Sequence, residues 1–378
     1  MADGGEKETK PLRHGYTTGA CATAAAQAAL EALIVQESQT QATIRLPIGQ
    51  DVTFEIVACA YASDWASAEV IKDGGDDPDA THGARIISEV FWREAPGIEI
   101  DGGVGVGRVT KPGLPVDVGQ AAINPVPRKM IREAVEAVLN RYELHRGVRV
   151  VVSVPDGEEI AKKTLNGRLG ILGGISILGT RGIVVPFSTA AYKASVAQAI
   201  RVAVKGGCSH VVLSTGGRSE KFGMELYPEL PEEAFVEMGD FVGFAIQQCA
   251  RQGISKITLV GMMGKFSKVA QGVMMVHSKS ASVDFGFLAR MAEEAGAPEA
   301  AVKEILEANT AAQVGDQMQA LGCTAFFDVM SGHCCRESLR EAGAFGPEAK
   351  LRTPLEVETV IISMKGALLG RKSMTNEV

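Results

Sequence analysis

The stretch Lys72 to Gly83 reads KDGGDDPDATHG and sets Asp73, Asp76, Asp77 and Asp79 in one short loop, followed by Thr81 and His82. Carboxylates this close repel one another, so a cation, backbone N–H donors or water must stabilise them. A calcium loop spaces its oxygen ligands regularly and closes on a bidentate Glu. This loop has no such Glu, and Pro78 restricts its turn. Asp side chains also bond backbone N–H groups in turns, which holds several carboxylates at once. From the residues alone a metal site, an acid–base site and a solvated turn all stay open, the metal site being the least suited.

Other stretches hold candidate ligand-binding groups. DGGVGVGRVTKPG, from Asp101, places Gly103, Gly105 and Gly107 after a predicted strand. A dinucleotide fingerprint needs a helix to open there, so that the pyrophosphate meets helix N–H groups. Pro112 and Pro115 follow instead, which rejects the fingerprint. Two readings remain: a glycine-rich strand corner, or a loop whose Arg108 and Lys111 donate to an anionic ligand. GMMGKF, Gly261 to Phe266, resembles part of a P-loop and fails its test. Leu259 stands where the first Gly belongs, and Phe266 replaces the Ser or Thr that would hold Mg²⁺. What is left is a strand end opening into Gly261 and Gly264, with Lys265 at hand. Gly216 and Gly217 close another strand. Ligands of open α/β sheets bind outside the carboxyl ends of the strands. These two loops therefore make a cofactor cleft the default for the second half of the chain, with ordinary turn glycines as the alternative.

The helix opening at TTGACATAAA offers N–H groups beside Thr17, Thr18 and Arg13, which suits an anion, although an ordinary N-cap explains the same residues. His333, Cys334 and Cys335, with Cys323 before them, match no zinc spacing and read as buried thiols. His277, alone after an apolar segment, reads as a core or capping histidine.

The elements that would position these groups follow from periodicity. Residues 1 to about 12 read as disordered. An Ala-rich helix follows Thr17 and Thr18. ATIRLP and VTFEIVACAYA form a hairpin around Gly49, ARIISEVFWRE and GIEIDGG are strands, and NPVPRKMIREAVEAVLNRY is a helix. After residue 145 the texture changes. VRVVVSVP is a run suited to a strand buried on both faces. Strands HVVLS and KITLV then alternate with helices, residues 284 to about 344 are helical, and VETVIISMKGALLG supplies a last strand. The fold class is α/β: an α+β domain over residues 1–145, then an open, mostly parallel α/β sheet domain over 146–378.

Composition excludes several roles. A net charge of −7, no long Lys/Arg run and 5% aromatic residues speak against nucleic-acid binding. The polar N-terminus lacks a signal core, and apolar runs such as GIVVPF and VIISM are too short to span a bilayer. Seven scattered cysteines without a CxxC pair read as free thiols in a reducing cytoplasm.

Taken in order, LRHGYTTGACATAAA (12–26), KDGGDDPDATHGA (72–84), GGVGVGRVTKPGLPVDVGQAAINPVPRKMI (102–131), GRLGILGGISILGTRGIVVPFS (167–188), STGGRSE (214–220), GMMGKFSK (261–268) and HSK (277–279) resemble one family over nearly the whole chain. It is the CbiD family, the cobalt-precorrin-5B (carbon 1) methyltransferases of cobalamin biosynthesis. The resemblance implies methyl transfer from S-adenosylmethionine to ring carbon 1 of cobalt-precorrin-5B, giving cobalt-precorrin-6A. Cobalt would arrive inside the substrate, with no protein-bound metal. The carboxylates of the corrinoid would need local donors: Arg13, Thr17, Thr18, Lys72, Arg108 and Lys111, with Arg128 and Lys129 beyond them. S-adenosylmethionine would sit in the second domain, at Thr215, Gly216, Gly217, Glu220, Gly261, Gly264, Lys265 and His277. Asp76, Asp77 or His82 would stabilise developing positive charge or accept a ring proton, in a loop ordered by backbone donors and Lys72. One departure is Val276, where the family pattern has Thr. The rivals are an NAD(P)H-dependent oxidoreductase using the same cleft and a non-catalytic corrinoid carrier. The expected partners are the small-molecule corrinoid and transient contacts with neighbouring pathway enzymes, not nucleic acid or membrane.

Overall fold

The computed structural model describes residues 11–277, 280–343 and 354–376. Residues 1–10, read above as disordered, and Ser278 and Lys279 of the HSK motif lie outside the described residues. The chain divides into two compact units, residues 1–188 and 189–378.

Unit 1 is built on helix α1 (Thr18–Val35), which Thr17 caps by accepting from the Ala20 N–H at 3.2 Å. Its side chains are mostly small, so the helix is buried nearly all round and not on one stripe. By length and apolarity α1 could cross a membrane, unlike the short apolar runs weighed above. Yet 78% of that window is buried inside the fold, so it serves as the core helix of this unit. Counting uninterrupted apolar runs overlooked it, because Thr, Gly and Gln break the run without making the segment polar.

Helix α1 lies on a five-stranded sheet of β1 (Ala58–Tyr61), β2 (Trp65–Ile71), β3 (Arg85–Arg93), β4 (Ile98–Gly102) and β5 (Gly147–Ser153), in the order β1-β2-β3-β5-β4. The Ser88 hydroxyl of β3 donates to the Ala22 carbonyl of α1 at 2.9 Å. Helix α2 (Pro125–Arg141) turns Ile131, Val135, Val138 and Leu139 into the same core. The expected hairpin forms from Gln41–Arg45 and Asp51–Glu55, separate from this sheet.

Strand β5 corrects the sequence reading. Texture places this Val-rich run at the start of a second domain near residue 145. The structure sets it inside the first sheet, antiparallel to β3 (Val150↔Val90) and parallel to β4 (Val150↔Ile100). A buried apolar run says that both faces are covered, not which strands flank it. The boundary between units falls after Ser188 instead.

Unit 2 holds β6 (His210–Ser214), β7 (Phe235–Glu237), β8 (Lys256–Met262), β9 (Glu356–Ile362) and β10 (Leu368–Thr375), ordered β7-β6-β8-β9-β10. All pairs are parallel except the edge strand β10, which matches the expected open, mostly parallel sheet. Helix α3 (Thr189–Lys205) leads into β6, α4 (Gly217–Leu226) connects β6 to β7, and α5 (Val242–Arg251) connects β7 to β8. Two details differ from expectation. VETVIISMKGALLG is not one strand but β9, a turn through Gly366 (φ +78°) and the start of β10. Nor is GMMGKF a glycine turn: β8 runs straight into helix α6 (Met263–Val269), with Gly264 in its first turn.

Toward the amino ends of β8 and β9, the buried Glu358 accepts from Arg371 Nε at 2.6 Å, from Thr258 Oγ1 at 2.8 Å and from the Tyr227 hydroxyl. A buried carboxylate is tolerated when it is this fully bonded. The knot ties β8, β9 and β10 together at the end opposite the one where a ligand would bind.

Candidate functional site

In unit 1 the segment Arg13–Tyr16 lies backbone to backbone on the Asp loop. The Tyr16 N–H donates to the Asp73 carbonyl at 2.8 Å, and the Asp76 N–H to the Arg13 carbonyl at 3.0 Å. A Cβ on Gly15 would lie 2.1 Å from the Gly74 carbonyl carbon, so this approach requires glycine.

Each of the four carboxylates has a donor. Asp73 accepts from the Arg13 guanidinium and from the Gly75 N–H at 2.9 Å. Asp76 accepts from the Arg13 N–H at 2.6 Å and Asp77 from the Phe187 N–H at 2.9 Å. Asp79 accepts from Lys72 Nζ at 2.5 Å and from the Thr81 N–H and hydroxyl at 2.7 and 2.6 Å. The repulsion among them is thus offset by two cations and by backbone donors. Bonding to Arg13 pulls the Asp73 carboxyl down to about 2. Burial works to raise that of Asp79, but Lys72 and Thr81 outweigh it and the net shift is downward.

Two expected roles do not survive this geometry. Lys72 is 1% exposed and spent on Asp79, so it is no donor to a ligand. His82 Nδ1 accepts from the Gly74 N–H at 3.0 Å, which leaves the proton of the neutral ring on Nε2. A ring held in that tautomer offers a donor outward and not a base.

The other proposed anion donors of unit 1 are also engaged within the fold. The Thr18 hydroxyl accepts from the Leu178 N–H at 2.9 Å, and the Gly19 N–H donates to the Leu178 carbonyl at 3.0 Å. Thr17 and Thr18 are buried beneath residues 176–182, so the start of α1 is a covered N-cap and not an open anion site. Arg108 donates to Asp101 at 3.1 Å and to the Gly102 carbonyl at 3.2 Å. Lys111 reaches the Arg168 carbonyl at 3.4 Å. Arg128 donates to the Ile100, Ala121 and Ile123 carbonyls. Lys129 is exposed, 3.6 Å from Glu133. The glycines between Gly102 and Gly107 form the strand corner: a Cβ on Gly105 would lie 1.8 Å from the Val154 carbonyl oxygen.

In unit 2 the predicted cofactor residues do come together, at the carboxyl ends of the parallel strands. Ser214, the last residue of β6, is in register with Glu237 of β7 and Val260 of β8. Lys265 Nζ donates to the Thr215 carbonyl at 2.9 Å and pairs with Asp240 at 3.1 Å. The Val276 N–H donates to the Asp240 carbonyl at 3.0 Å, and the buried Lys268 donates to the Val276 and His277 carbonyls at 3.2 Å. Position 276 therefore contributes a backbone N–H that any residue but Pro supplies, which accommodates Val where the family has Thr. A Cβ added at Gly216, Gly217 or Gly264 would meet no atom within 4 Å, so these glycines border open space. Gly261 differs: a Cβ there would lie 2.6 Å from the Phe266 ring, so it is a packing glycine.

Glu220 lies in the first turn of α4, and two acids that sequence reasoning missed, Glu237 and Asp240, lie at the end of β7 and just after it. Burial pushes the Tyr192 phenol up to about 12, and the charges of Glu237, Asp240 and Glu220 add to the shift. A signal for Glu237 existed: it falls about 20 residues past the glycine loop, where dinucleotide folds place a ribose-binding acid. The Ser214 hydroxyl beneath the loop is fully buried and has no hydrogen-bond partner among the described residues.

Among the described residues no group of His, Cys, Asp or Glu is arranged to hold a metal. Cys334 and Cys335 are buried, as read, and burial raises both thiols, that of Cys335 to about 11. His333 lies 3.0 Å from Glu294.

An open, mostly parallel sheet with a glycine loop at its carboxyl edge defines unit 2 as an α/β unit. Residues 5–186 match the family described as CbiD, and residues 275–373 that described as CbiD, C-terminal domain. The chain is 66% identical over 362 residues to the cobalt-precorrin-5B C(1)-methyltransferase of Geobacillus kaustophilus, covering 96% of this chain and 95% of that protein. It is 62% identical over 365 residues to the protein of the same name from Priestia megaterium, covering 97% of each. A crystal structure of the cobalamin biosynthesis protein cbiD from Archaeoglobus fulgidus is 31% identical, covering 67% of this chain and 78% of that one, with a TM-score of 0.38. The chain belongs to the CbiD family of cobalt-precorrin-5B C(1)-methyltransferases.

Proposed function

We propose that this protein methylates ring carbon 1 of cobalt-precorrin-5B, a step of cobalamin biosynthesis, with S-adenosylmethionine as methyl donor held in unit 2. The observation that carries the placement is the tie made by Lys265 between the loops after β6 and β7, beside the open space at Gly216 and Gly217. The near-identical length and 66% identity of a relative named for this reaction support the activity. All seven cysteines are free, which fits a reducing cytoplasm.

When bound, the donor supplies a methyl group: its bond to the sulfonium sulfur breaks as a ring π pair bonds it to carbon, and the sulfur keeps the electron pair as a thioether. The protein's own task is placement, which is worth about 7–11 kcal/mol in favourable systems. In this reading Gly216 and Gly217 let the donor approach the backbone. Glu237 accepts from its ribose hydroxyls, as an acid at the end of the neighbouring strand does in related sheets. Glu220 and Asp240 set a negative potential that suits a sulfonium. Lys265 acts as a positioning residue by holding the two loops. In unit 1, Asp76 and Asp77 each rest one oxygen against a backbone N–H. We assign to them, in place of His82, the acceptance of a ring proton or the stabilisation of positive charge.

Calorimetry with S-adenosylhomocysteine, NADPH and ATP tests the donor site. Binding of S-adenosylhomocysteine alone is expected; selective NADPH binding would return the oxidoreductase reading. The carboxylate assignment predicts that Asp76→Asn combined with Asp77→Asn lowers corrinoid turnover about 100-fold or more with an unchanged melting temperature. Full turnover in that variant would reduce the loop to a structural turn.

A further inference from the structure

Beside the donor loops unit 2 has a cleft of about 240 Å³ that none of the roles above uses. Its walls are the exposed face of α4 and the turn between β9 and β10. Arg218 directly follows Gly217, and Met262 is the last residue of β8, so the cleft begins beside the loop after β6. It lies at the carboxyl ends of β8 and β9, the edge at which open sheets bind ligands.

Its charge is out of keeping with the rest of the protein. Arg218, Lys221 and Lys365 line it against one carboxylate, Glu225, in a chain of net charge −7. Among the described residues none of these three cations has an ion-pair partner. Phe222, Met262, Ile362 and Met364 make most of the remaining surface, with Ser363 and Gly366 in the turn, and Met364 is 64% exposed. Unpaired cations around an apolar floor suit a ligand with a flat apolar body and several anionic groups. A sulfonium donor carries positive charge and would be repelled there. The volume is below the ~300–1,000 Å³ of sites that enclose a small molecule, so the cleft takes an edge and not a whole macrocycle.

We propose that this cleft binds the carboxylate-bearing rim of the tetrapyrrole substrate, Arg218, Lys221 and Lys365 pairing with its acetate and propionate groups and the methionines contacting the ring. This rests on the reading of unit 2 as the methyl-donor unit. A spectroscopic titration of cobyrinic acid, a cobalt corrinoid with free carboxylates, tests it on the full-length protein and on Lys221→Glu with Lys365→Glu. Its methyl ester and S-adenosylhomocysteine are titrated in parallel. The variant is expected to bind cobyrinic acid roughly tenfold more weakly or worse at low salt, while the ester and S-adenosylhomocysteine bind both proteins alike. Unchanged cobyrinic acid affinity with S-adenosylhomocysteine binding intact would overturn the cleft and leave the donor site standing. Equal loss of acid and ester would also overturn it, since charge would not be what the cleft reads. A parent protein that binds NADPH and not S-adenosylhomocysteine would remove the donor reading itself, and the cations would then belong to a phosphate site.

Discussion

Replacing Glu237 by Ala is expected to weaken S-adenosylhomocysteine binding by roughly ten- to a hundredfold while the fold holds. A hydrogen bond to a charged group is worth about 1.5–3 kcal/mol, and about 1.4 kcal/mol is a factor of ten in affinity. Glu237 is exposed at the end of β7, where the backbone, not the side chain, makes the pairing with Ser214. Truncation therefore removes an acceptor at little cost to the sheet. Glu237→Gln keeps the shape and one acceptor oxygen, so its loss is smaller. Calorimetry on the three proteins gives the order parent, Gln, Ala. Equal affinities would place the ribose elsewhere on the sheet edge, with Asp240 the next residue to change.

Lys72→Met is expected to destabilise unit 1 by about 3–5 kcal/mol, the usual cost of leaving one partner of a buried ion pair alone. Lys72 is 1% exposed and its Asp79 partner 20%, so water recovers little of the loss. Adding Asp79→Asn should restore most of the stability, because the amide oxygen still accepts from the Thr81 N–H and no charge is stranded. Urea unfolding of the parent, the single and the double variant measures this. A single variant as stable as the parent would mean that the pair contributes nothing and that Lys72 is retained for another purpose. The pH dependence has a definite sign. The folded-state pKa values of Asp73 and Asp79 are lowered, so their contribution is fully present above the ordinary carboxylate range, ~3.9 for Asp. It is lost as pH falls, for Asp73 through about 2.

Much of both units could be read locally. The Ala-rich α1, the apolar face of α2 and the strand–helix alternation of unit 2 each declare themselves within one segment, through side-chain period and cap chemistry. The same holds for the loop after β6, because a glycine turn at the end of a parallel strand lies at the carboxyl edge of the sheet. Thr215, Gly216 and Gly217 were placed at that edge by their own surroundings, whereas Gly261 and Gly264 were not, because β8 runs straight into α6.

What the residues by themselves determined, then, was which segments are helices and strands, that an open parallel sheet would form, and that carboxylates and glycines of these types cluster in loops. Only the tertiary structure decided how those groups are spent. It placed the Val-rich β5 between β3 and β4, brought residues 176–182 over Thr17 and Thr18, and buried Lys72 against Asp79. It also set Glu237 beside Ser214 and opened the cationic cleft between α4 and the turn after β9. The physical reason is common to all of these. Secondary structure follows from neighbours along the chain, whereas whether a donor is free depends on which distant carbonyl or carboxylate folding brings to it.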